Sequence, residues 1–209
     1  LFRKGSLSKI ISEIKNNIEN KTLIFYTNGL LGSRKSQTYS NFNDFMYNLS
    51  YWSSWSNGFN IWKSEFDKID KNLKLNKLFP HTSLFLTQHQ AKLFCINDNL
   101  LFDVQRIPKR GGHNKFEAFT IEYPSLLDEC CKKGHISTKC KRHILFGIMV
   151  QFLPSLLFNK YIIRIETFDD TGFRDNLKKY YPSYAYWLVL ISVLGVPFRL
   201  FCRKLKNKR

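Results

Sequence analysis

The chain has 209 residues, of which 33 are lysine or arginine and 16 are aspartate or glutamate, so its formal net charge at pH 7 is +17. Hydrophobic residues make up 44% and aromatic residues 16% of the sequence, which excludes a disordered tail and allows a packed core. A positive excess spread along a whole chain repels itself unless a polyanion neutralises it, and nucleic acid and anionic membranes are the usual polyanions.

The first 50 residues are predicted to fold as a helix, a strand, a turn and a second helix. Apolar residues at helical spacing predict the first helix: Leu7, Ile10, Ile11, Ile14 and Ile18. The run Thr22–Thr27 has the composition of a buried strand, and Asn28-Gly29 marks a turn after it. The same spacing predicts the second helix, from Tyr39, Phe42, Met46 and Leu49. This order of elements is how a βα unit begins.

The middle of the chain is predicted to alternate between helix and strand. Residues Glu65–Leu78 have a helical pattern that Pro80 should end. Short apolar runs at Ser83–Thr87 and Phe119–Glu122 predict two buried strands. Residues Ala91–Asp103 fit either helix or strand.

The last third of the chain is predicted to be mostly helical. Ile144–Phe158 is apolar for about 15 residues, broken by Pro154, whereas a membrane span needs roughly 20. Tyr180–Phe198 is uncharged for about 19 residues and a basic end follows it directly. We therefore expect an α/β domain over residues 1–125, with a small mostly parallel sheet flanked by helices. Residues 126–209 should form a helical extension with a hydrophobic C-terminal segment and a basic tail.

Several short motifs resemble one known family. The segments that carry this resemblance are, in chain order, Thr22–Thr27, Tyr51-Trp52, Asn57-Gly58-Phe59-Asn60-Ile61-Trp62, Pro80 with Ser83–Thr87, Ile107-Pro108 and Tyr123-Pro124. In this order they resemble the small-subunit ribosomal protein two family of bacteria and organelles, over about residues 7–130. The sequence departs from the family at Thr87-Gln88, where an Asp usually follows the second strand, and it lacks the family's His/Gly-rich N-terminal segment. The resemblance implies a structural protein that docks on ribosomal RNA.

The amino-acid usage is typical of an AT-rich genome. Alanine occurs at only three positions, whereas Asn, Lys, Phe, Ile, Leu and Tyr are abundant. An organelle genome or an AT-rich protist or parasite nuclear genome would produce this bias. Together with the resemblance, it favours a divergent, organelle-encoded mitochondrial protein.

Basic side chains near glycines and near a predicted helix start are the candidate RNA ligands, because they can neutralise phosphates and release counterions. The candidates are Arg34, Lys35, Lys63, Arg106, Lys109, Arg110, Lys115, Arg203, Lys204, Lys206, Lys208 and Arg209. The loop around Gly111-Gly112 is equally consistent with a solvated loop. Tyr51, Trp52, Trp55 and Trp62 suit stacking on unpaired bases, but core packing is the expected role for at least half of them.

A cluster of thiols and imidazoles provides the one metal-binding alternative. Cys131, His135, Cys140 and His143 would supply four tetrahedral zinc ligands. Their spacing matches no standard zinc pattern, so reduced thiols in a basic segment are the favoured interpretation. The sequence also has no G-x-S-x-G, H-E-x-x-H or Walker motif. We therefore expect no catalytic residue, no metal or other cofactor and no small-molecule substrate.

Two functional hypotheses follow. The first is a structural component of the small subunit of the mitochondrial ribosome, in the matrix, with ribosomal RNA and neighbouring ribosomal proteins as partners. The alternative is a membrane-anchored accessory subunit of a mitochondrial respiratory complex. In that case Tyr180–Phe198 would be a transmembrane helix, since its aromatic flank and basic end resemble those of membrane anchors.

Overall fold

A computed structural model describes residues 1–56, 58–103 and 114–207, with side chains up to Cys202. The chain divides into two compact units. The first unit contains Leu1–Pro108 and Glu129–Lys141, and the second contains Lys109–Asp128 and Arg142–Arg209. A division into domains at residue 125, which the sequence suggested, stays a prediction.

The first unit contains a small mixed sheet of three strands. The strands are β1 (Leu23–Tyr26), β2 (Ser36–Tyr39) and β3 (Phe94–Asn97). β3 lies in the centre and pairs parallel with β1 and antiparallel with β2. Every residue of β1 and β3 is buried, whereas most of β2 is exposed. The α/β class and the small sheet flanked by helices are confirmed, and the expected parallel pairing holds for β1 and β3.

Short helices cover this sheet. They are α1 (Ser6–Asn16), α2 (Phe42–Leu49), α3 (Lys63–Phe66) and α4 (Pro80–Leu86), with 3₁₀ turns at Ser50–Ser54 and Thr87–Gln90. The side chain of Asn41 caps α2 by accepting a hydrogen bond from the Asp44 N–H at 2.8 Å. Aromatic rings from α2, α4 and the sheet pack together with centroids 5.2–6.2 Å apart. The rings are Phe25, Phe42, Phe45, Phe85 and Phe94.

Two predictions for this unit are wrong. The strand expected at Ser83–Thr87 lies mostly in α4, because Pro80 begins the helix at its first position, where a missing N–H costs nothing. The apolar strand that the family resemblance implied after Pro80 is therefore a helix. The helix expected over Glu65–Leu78 ends at Phe66.

Side-chain oxygens explain why that helix stops. Asp70 accepts a hydrogen bond from the Asn72 N–H at 2.9 Å. Asn76 accepts from the N–H groups of Leu78 at 2.9 Å and Phe79 at 3.0 Å. These local turns offer the backbone an alternative to helical hydrogen bonds. The second predicted helix was expected to include Tyr39, but it begins at Phe42, because Tyr39 belongs to β2.

All the secondary-structure elements described after residue 114 are helices. These elements are α5 (Lys115–Glu117), α6 (Tyr123–Lys132), α7 (Thr138–Gly147), α8 (Leu153–Leu157), α9 (Phe173–Tyr180), α10 (Ala185–Leu194) and α11 (Val196–Asn207), with π-helical stretches at Ala118–Glu122, Ile148–Phe152 and Phe158–Ile162. The strand predicted at Phe119–Glu122 is wrong, since a short apolar run does not distinguish a strand from a buried helix.

Two apolar segments of this part differ from their sequence patterns. The apolar stretch Ile144–Phe158 lies within a longer helical run, Thr138–Ile162. Among the described residues this run is long and apolar enough to cross a membrane, and half of its most apolar window is buried inside the protein. The stretch that the alternative hypothesis treats as one anchor, Tyr180–Phe198, is divided between helices, and α10 and α11 together would qualify only as a pair bent by 51°.

The tight contact between Gly58 and β1 gives a test of the fold. A Cβ atom at Gly58 would lie 2.7 Å from the Cζ atom of Phe25, which is fully buried. We expect Gly58→Ala to reduce the free energy of unfolding by about 1–3 kcal/mol through overpacking. Gly195→Ala is the control, because the nearest atom to its added Cβ would be 3.5 Å away. Thermal unfolding followed by circular dichroism measures both, and a Gly58→Ala variant as stable as the wild type would contradict this packing.

Candidate nucleic-acid interface

A buried carboxylate organises the edge of the sheet where the parallel strands end. Asp98 directly follows β3 and its side chain is fully buried. It accepts hydrogen bonds from the Thr27 hydroxyl at 2.5 Å and from the backbone N–H groups of Leu31 at 3.0 Å, Ser33 at 2.8 Å and Arg34 at 3.0 Å. The Ser33 hydroxyl adds a fifth bond at 3.1 Å. Both carboxylate oxygens are therefore occupied, and the loop after β1 is fixed.

The same hydrogen bonds set the charge of Asp98. Burial alone would raise the pKa of its carboxyl group, but donation by the Thr27 hydroxyl and by the Arg34 and Leu31 N–H groups outweighs this cost and holds the pKa below its ordinary value. The group is thus a permanent anion at neutral pH, with every lone-pair direction facing a donor. This suits a structural role better than proton transfer.

A neighbouring amide ties the loops after β1 and β3 together. The Asn28 side chain donates to the Phe102 carbonyl at 3.0 Å and accepts from the N–H groups of Leu101 at 2.8 Å and Phe102 at 2.9 Å. Gly29 follows with φ +77°, and a Cβ there would lie 2.6 Å from Leu100 Cδ2. The turn predicted at Asn28-Gly29 is confirmed, and its glycine is required by both backbone conformation and space.

This fixed loop exposes two cations that the sequence singled out. Arg34 and Lys35 are both exposed. The Arg34 N–H is held by Asp98, and the Lys35 carbonyl accepts from the Asp98 N–H at 3.1 Å. The backbone of both residues is therefore anchored before any ligand binds, which lowers the entropy that binding must remove.

A polar cleft of about 510 Å³ lies beside the loop, between α1 and the end of β3. Lys9, Asn16, Ser36, Asn97 and Asn99 are among its lining residues. Amides, a hydroxyl and an ammonium are groups that bind phosphate and sugar oxygens in protein–nucleic acid complexes. We call Lys9, Arg34, Lys35, Ser36 and Asn99 together the loop surface.

The one carboxylate that lines this cleft already has a partner. Asn97 donates to both oxygens of Glu13, at 2.9 and 2.8 Å. Asn99 in turn donates to the Asn97 side-chain oxygen at 2.8 Å. The Glu13 carboxylate is therefore stabilised by donation from Asn97, which is itself held by Asn99.

Two other predicted RNA ligands have partners within the protein. The Lys63 ammonium forms an ion pair with Asp67 on the exposed side of α3. In the second unit, the Lys115 ammonium lies 2.9 Å from the buried Glu166 carboxylate and 4.6 Å from the centre of the Phe168 ring. Lys115 thus stabilises the interior of its unit, because a buried carboxylate requires a paired cation. Its role as an RNA ligand stays a prediction.

The remaining basic candidates are not described at the side-chain level. Arg106, Lys109, Arg110, Lys208 and Arg209 lie outside the described residues, and only the backbone is described for Arg203, Lys204 and Lys206. Their role as RNA ligands stays a prediction.

The aromatic cluster is partly core and partly surface. Tyr51 is buried, and the Trp62 indole donates to the Thr22 carbonyl at 2.9 Å, so both support the fold. Trp52 and Trp55 lie 6.0 Å apart and are half-buried. Trp62 is also half-buried, so these three indoles keep partly accessible rings for stacking.

The four zinc candidates do not come together. Cys140 is buried, and burial, with Asp44 nearby, raises the pKa of its thiol to about 12, which disfavours the thiolate that binds zinc. His135 stacks on His89 with ring centroids 3.5 Å apart. Across residues 1–56, 58–103 and 114–207, no three His, Cys, Asp or Glu side chains are placed to hold a metal ion.

The sequence patterns did not identify Asp98, Asn99 or Lys9, and they marked Asn28 only as a turn residue. One signal was available, because the polar run Asn97-Asp98-Asn99 comes directly after the apolar residues Phe94–Ile96. Polar residues at such a strand end frequently hold turns or ligands.

No protein-family model, no curated protein and no solved structure matches this chain. The resemblance to a ribosomal protein family therefore stays a prediction from the sequence.

Replacing Asp98 tests the central hydrogen-bond network. Asp98→Asn removes the charge and turns an amide N–H₂ toward backbone donors, so we expect the free energy of unfolding at pH 7 to fall by about 2–4 kcal/mol. Because the folded-state pKa of Asp98 is lowered, its charge stabilises the fold above the unfolded pKa of about 4 and ceases to do so as pH falls through the folded pKa. The difference between wild type and variant should therefore shrink below about pH 4.

The control for this measurement is Asp103→Asn, which removes an acid whose ion pair with Arg3 is largely exposed. Its effect should stay within about 0.5 kcal/mol. Urea unfolding of the three proteins from neutral to acidic pH provides the data. Equal stabilities for Asp98→Asn and Asp103→Asn would show that the network does not hold the loop.

Proposed function

We propose that this chain is a non-enzymatic component of an RNA–protein assembly, and that the assembly is the small subunit of a mitochondrial ribosome. In this proposal the first unit docks on ribosomal RNA and neutralises phosphate. Neighbouring ribosomal proteins complete its surroundings in the mitochondrial matrix.

The observation that carries the proposal is a set of lysines without acidic partners. Ten lysines of the first unit are exposed and make no ion pair with any described residue: Lys4, Lys9, Lys15, Lys35, Lys71, Lys74, Lys77, Lys92, Lys133 and Lys139. A compact body with this surplus is stabilised by an external polyanion.

The acids of the same unit explain why the surplus remains. Asp98 is fully engaged by the loop after β1, and Glu13 by Asn97. Glu65 is shared by two lysines, Lys21 and Lys68. None of these three carboxylates pairs with the ten exposed lysines, so the unit keeps a positive surface that an external polyanion would neutralise.

The geometry of the loop surface favours nucleic acid over a small substrate. In parallel sheets, ligands bind beyond the carboxyl ends of the strands, but the buried carboxylate at this end is fully occupied by loop donors. Arg34 and Lys35 are exposed on a fixed backbone, beside a cleft lined mostly by amides and hydroxyls. Such groups bind and position a sugar-phosphate backbone without catalysing a reaction on it. The ribosomal and mitochondrial assignment rests on the sequence resemblance and the AT-rich residue usage.

RNA binding by the loop surface can be tested with a pair of matched variants. Arg34→Gln/Lys35→Gln removes two phosphate ligands, so we expect the affinity for single-stranded RNA to fall about tenfold at physiological salt. The slope of log affinity against log salt concentration should decrease by about 1.4, since each lost phosphate contact contributes about 0.7. Filter binding or fluorescence anisotropy over a salt series measures both quantities.

The control is Lys74→Gln/Lys77→Gln, which removes the same charge from exposed positions in the segment after α3. Its affinity should stay within about threefold of wild type, because only the long-range field changes. If the two double variants lose affinity equally, the loop surface is not an RNA site.

A further inference from the structure

The second unit exposes a continuous apolar face along α10 and α11. Six large side chains of this face are 59–81% exposed, and they recur at intervals of three and four residues: Tyr184, Trp187, Ile191, Leu194, Phe198 and Phe201. We call these six residues the apolar stripe. The opposite side of the same helices is packed, since Ala185, Val189 and Val196 are buried. The stripe is therefore one face of a helix pair that is already docked on its own unit.

An apolar surface of this kind is normally covered. Isolated exposed hydrophobic residues are common on proteins, but a contiguous row of aromatic and aliphatic side chains marks a surface for a partner or a lipid. Trp187 and Leu194 are respectively 59% and 81% exposed, so much of their apolar area contacts water in the isolated chain.

In the sequence, basic residues precede and follow the apolar stripe, and no acidic residue lies between Tyr184 and Arg209. Asp175 is the last acidic residue of the sequence. Eight basic residues follow it: Lys178, Lys179, Arg199, Arg203, Lys204, Lys206, Lys208 and Arg209. Two of them have partners within the unit, since Lys178 pairs with Asp175 and Arg199 donates to the Val150 and Ser192 carbonyls. The chemistry of the occupant must therefore combine apolar contact with negative charge.

We propose that the apolar stripe docks on the surface of a bilayer that contains anionic lipids, with α10 and α11 lying in the interface plane. A bilayer offers acyl chains to the stripe and anionic headgroups to the cations, and Trp and Tyr are the side chains that favour the boundary between them. Because the other face of the helices packs on the unit, the pair lies on the membrane instead of crossing it alone.

Other occupants fit less well. The spacing of the stripe would suit a coiled-coil partner, but the 51° bend between α10 and α11 prevents a straight helix from following both halves. RNA would satisfy the cations and leave the aliphatic side chains of Ile191 and Leu194 without an apolar partner. This inference goes beyond RNA docking, because it places the proposed assembly at a membrane surface.

Vesicle flotation of the full-length, RNase-treated chain tests the proposal. Vesicles of phosphatidylcholine alone are compared with vesicles in which a third of the lipid is phosphatidylserine. We expect binding to the anionic vesicles, weak binding to the neutral ones, and about a tenfold loss of binding in Leu194→Glu/Phe198→Glu. The matched control, Phe66→Glu/Leu75→Glu, changes two exposed apolar residues of the first unit in the same way and should bind as the wild type does.

Each other outcome overturns the proposal. Absence of binding to anionic vesicles, or equal losses in the two double variants, would show that the stripe is not a lipid surface. A wild-type dimer in analytical ultracentrifugation that Leu194→Glu/Phe198→Glu dissociates, without vesicle binding, would assign the stripe to a contact between copies. Should that variant lose helical circular dichroism, Leu194→Ser alone is expected to show reduced flotation with an unchanged spectrum, and unreduced flotation would overturn the proposal.

Discussion

The sheet edge at the ends of β1 and β3 depends on one requirement, which is to satisfy the buried charge of Asp98. A carboxylate that is fully removed from water is destabilising unless donors replace its hydration. Here the donors come from one loop, Thr27 to Arg34, which precedes Asp98 by more than 60 residues in the chain. The requirement to satisfy one charge therefore fixes the loop after β1 against the end of β3. That loop in turn determines where Arg34 and Lys35 stand and how the cleft beside α1 is lined.

The elements that the sequence predicted correctly are those with strong local patterns. The helix α1, the buried strand β1 and the turn at Asn28-Gly29 follow from periodicity and from residues with special backbone preferences. Ser83–Thr87 and Phe119–Glu122 were misassigned because short apolar runs look alike in strands and buried helices. For Ser83–Thr87 the distinguishing signal was Pro80, which begins α4.

The residues of the candidate site likewise separate into those that local sequence identified and those that depend on distant contacts. Arg34 and Lys35 were predicted because they follow a strand and a glycine turn. Asp98 was missed because its function arises from a contact 71 residues away in sequence with Thr27. Lys115 looked like its basic neighbours in sequence, and only the fold reveals its buried partner Glu166.

Both proposals, RNA docking by the first unit and lipid docking by the second, depend on an excess of positive charge, but they concern different partners. The first unit has 18 basic and 9 acidic residues and the second has 15 and 7, so neither is simply a basic tail on a neutral domain. In the first unit the surplus accompanies a polar cleft, which suits a sugar-phosphate backbone. In the second it accompanies the apolar stripe, which suits a lipid surface. The neighbours of the cations, more than the cations themselves, decide which polyanion each unit fits.

The central claim is that the polyanion bound by the first unit is the RNA of a ribosomal subunit. Sucrose-gradient sedimentation of a lysate of mitochondria from the source cells, with detection of this chain, tests it most directly. The account predicts co-migration with the small ribosomal subunit, and release to the top of the gradient after RNase treatment or in high salt. Migration with a respiratory membrane complex, unchanged by RNase and salt, would contradict the account and favour the alternative of a membrane-anchored accessory subunit.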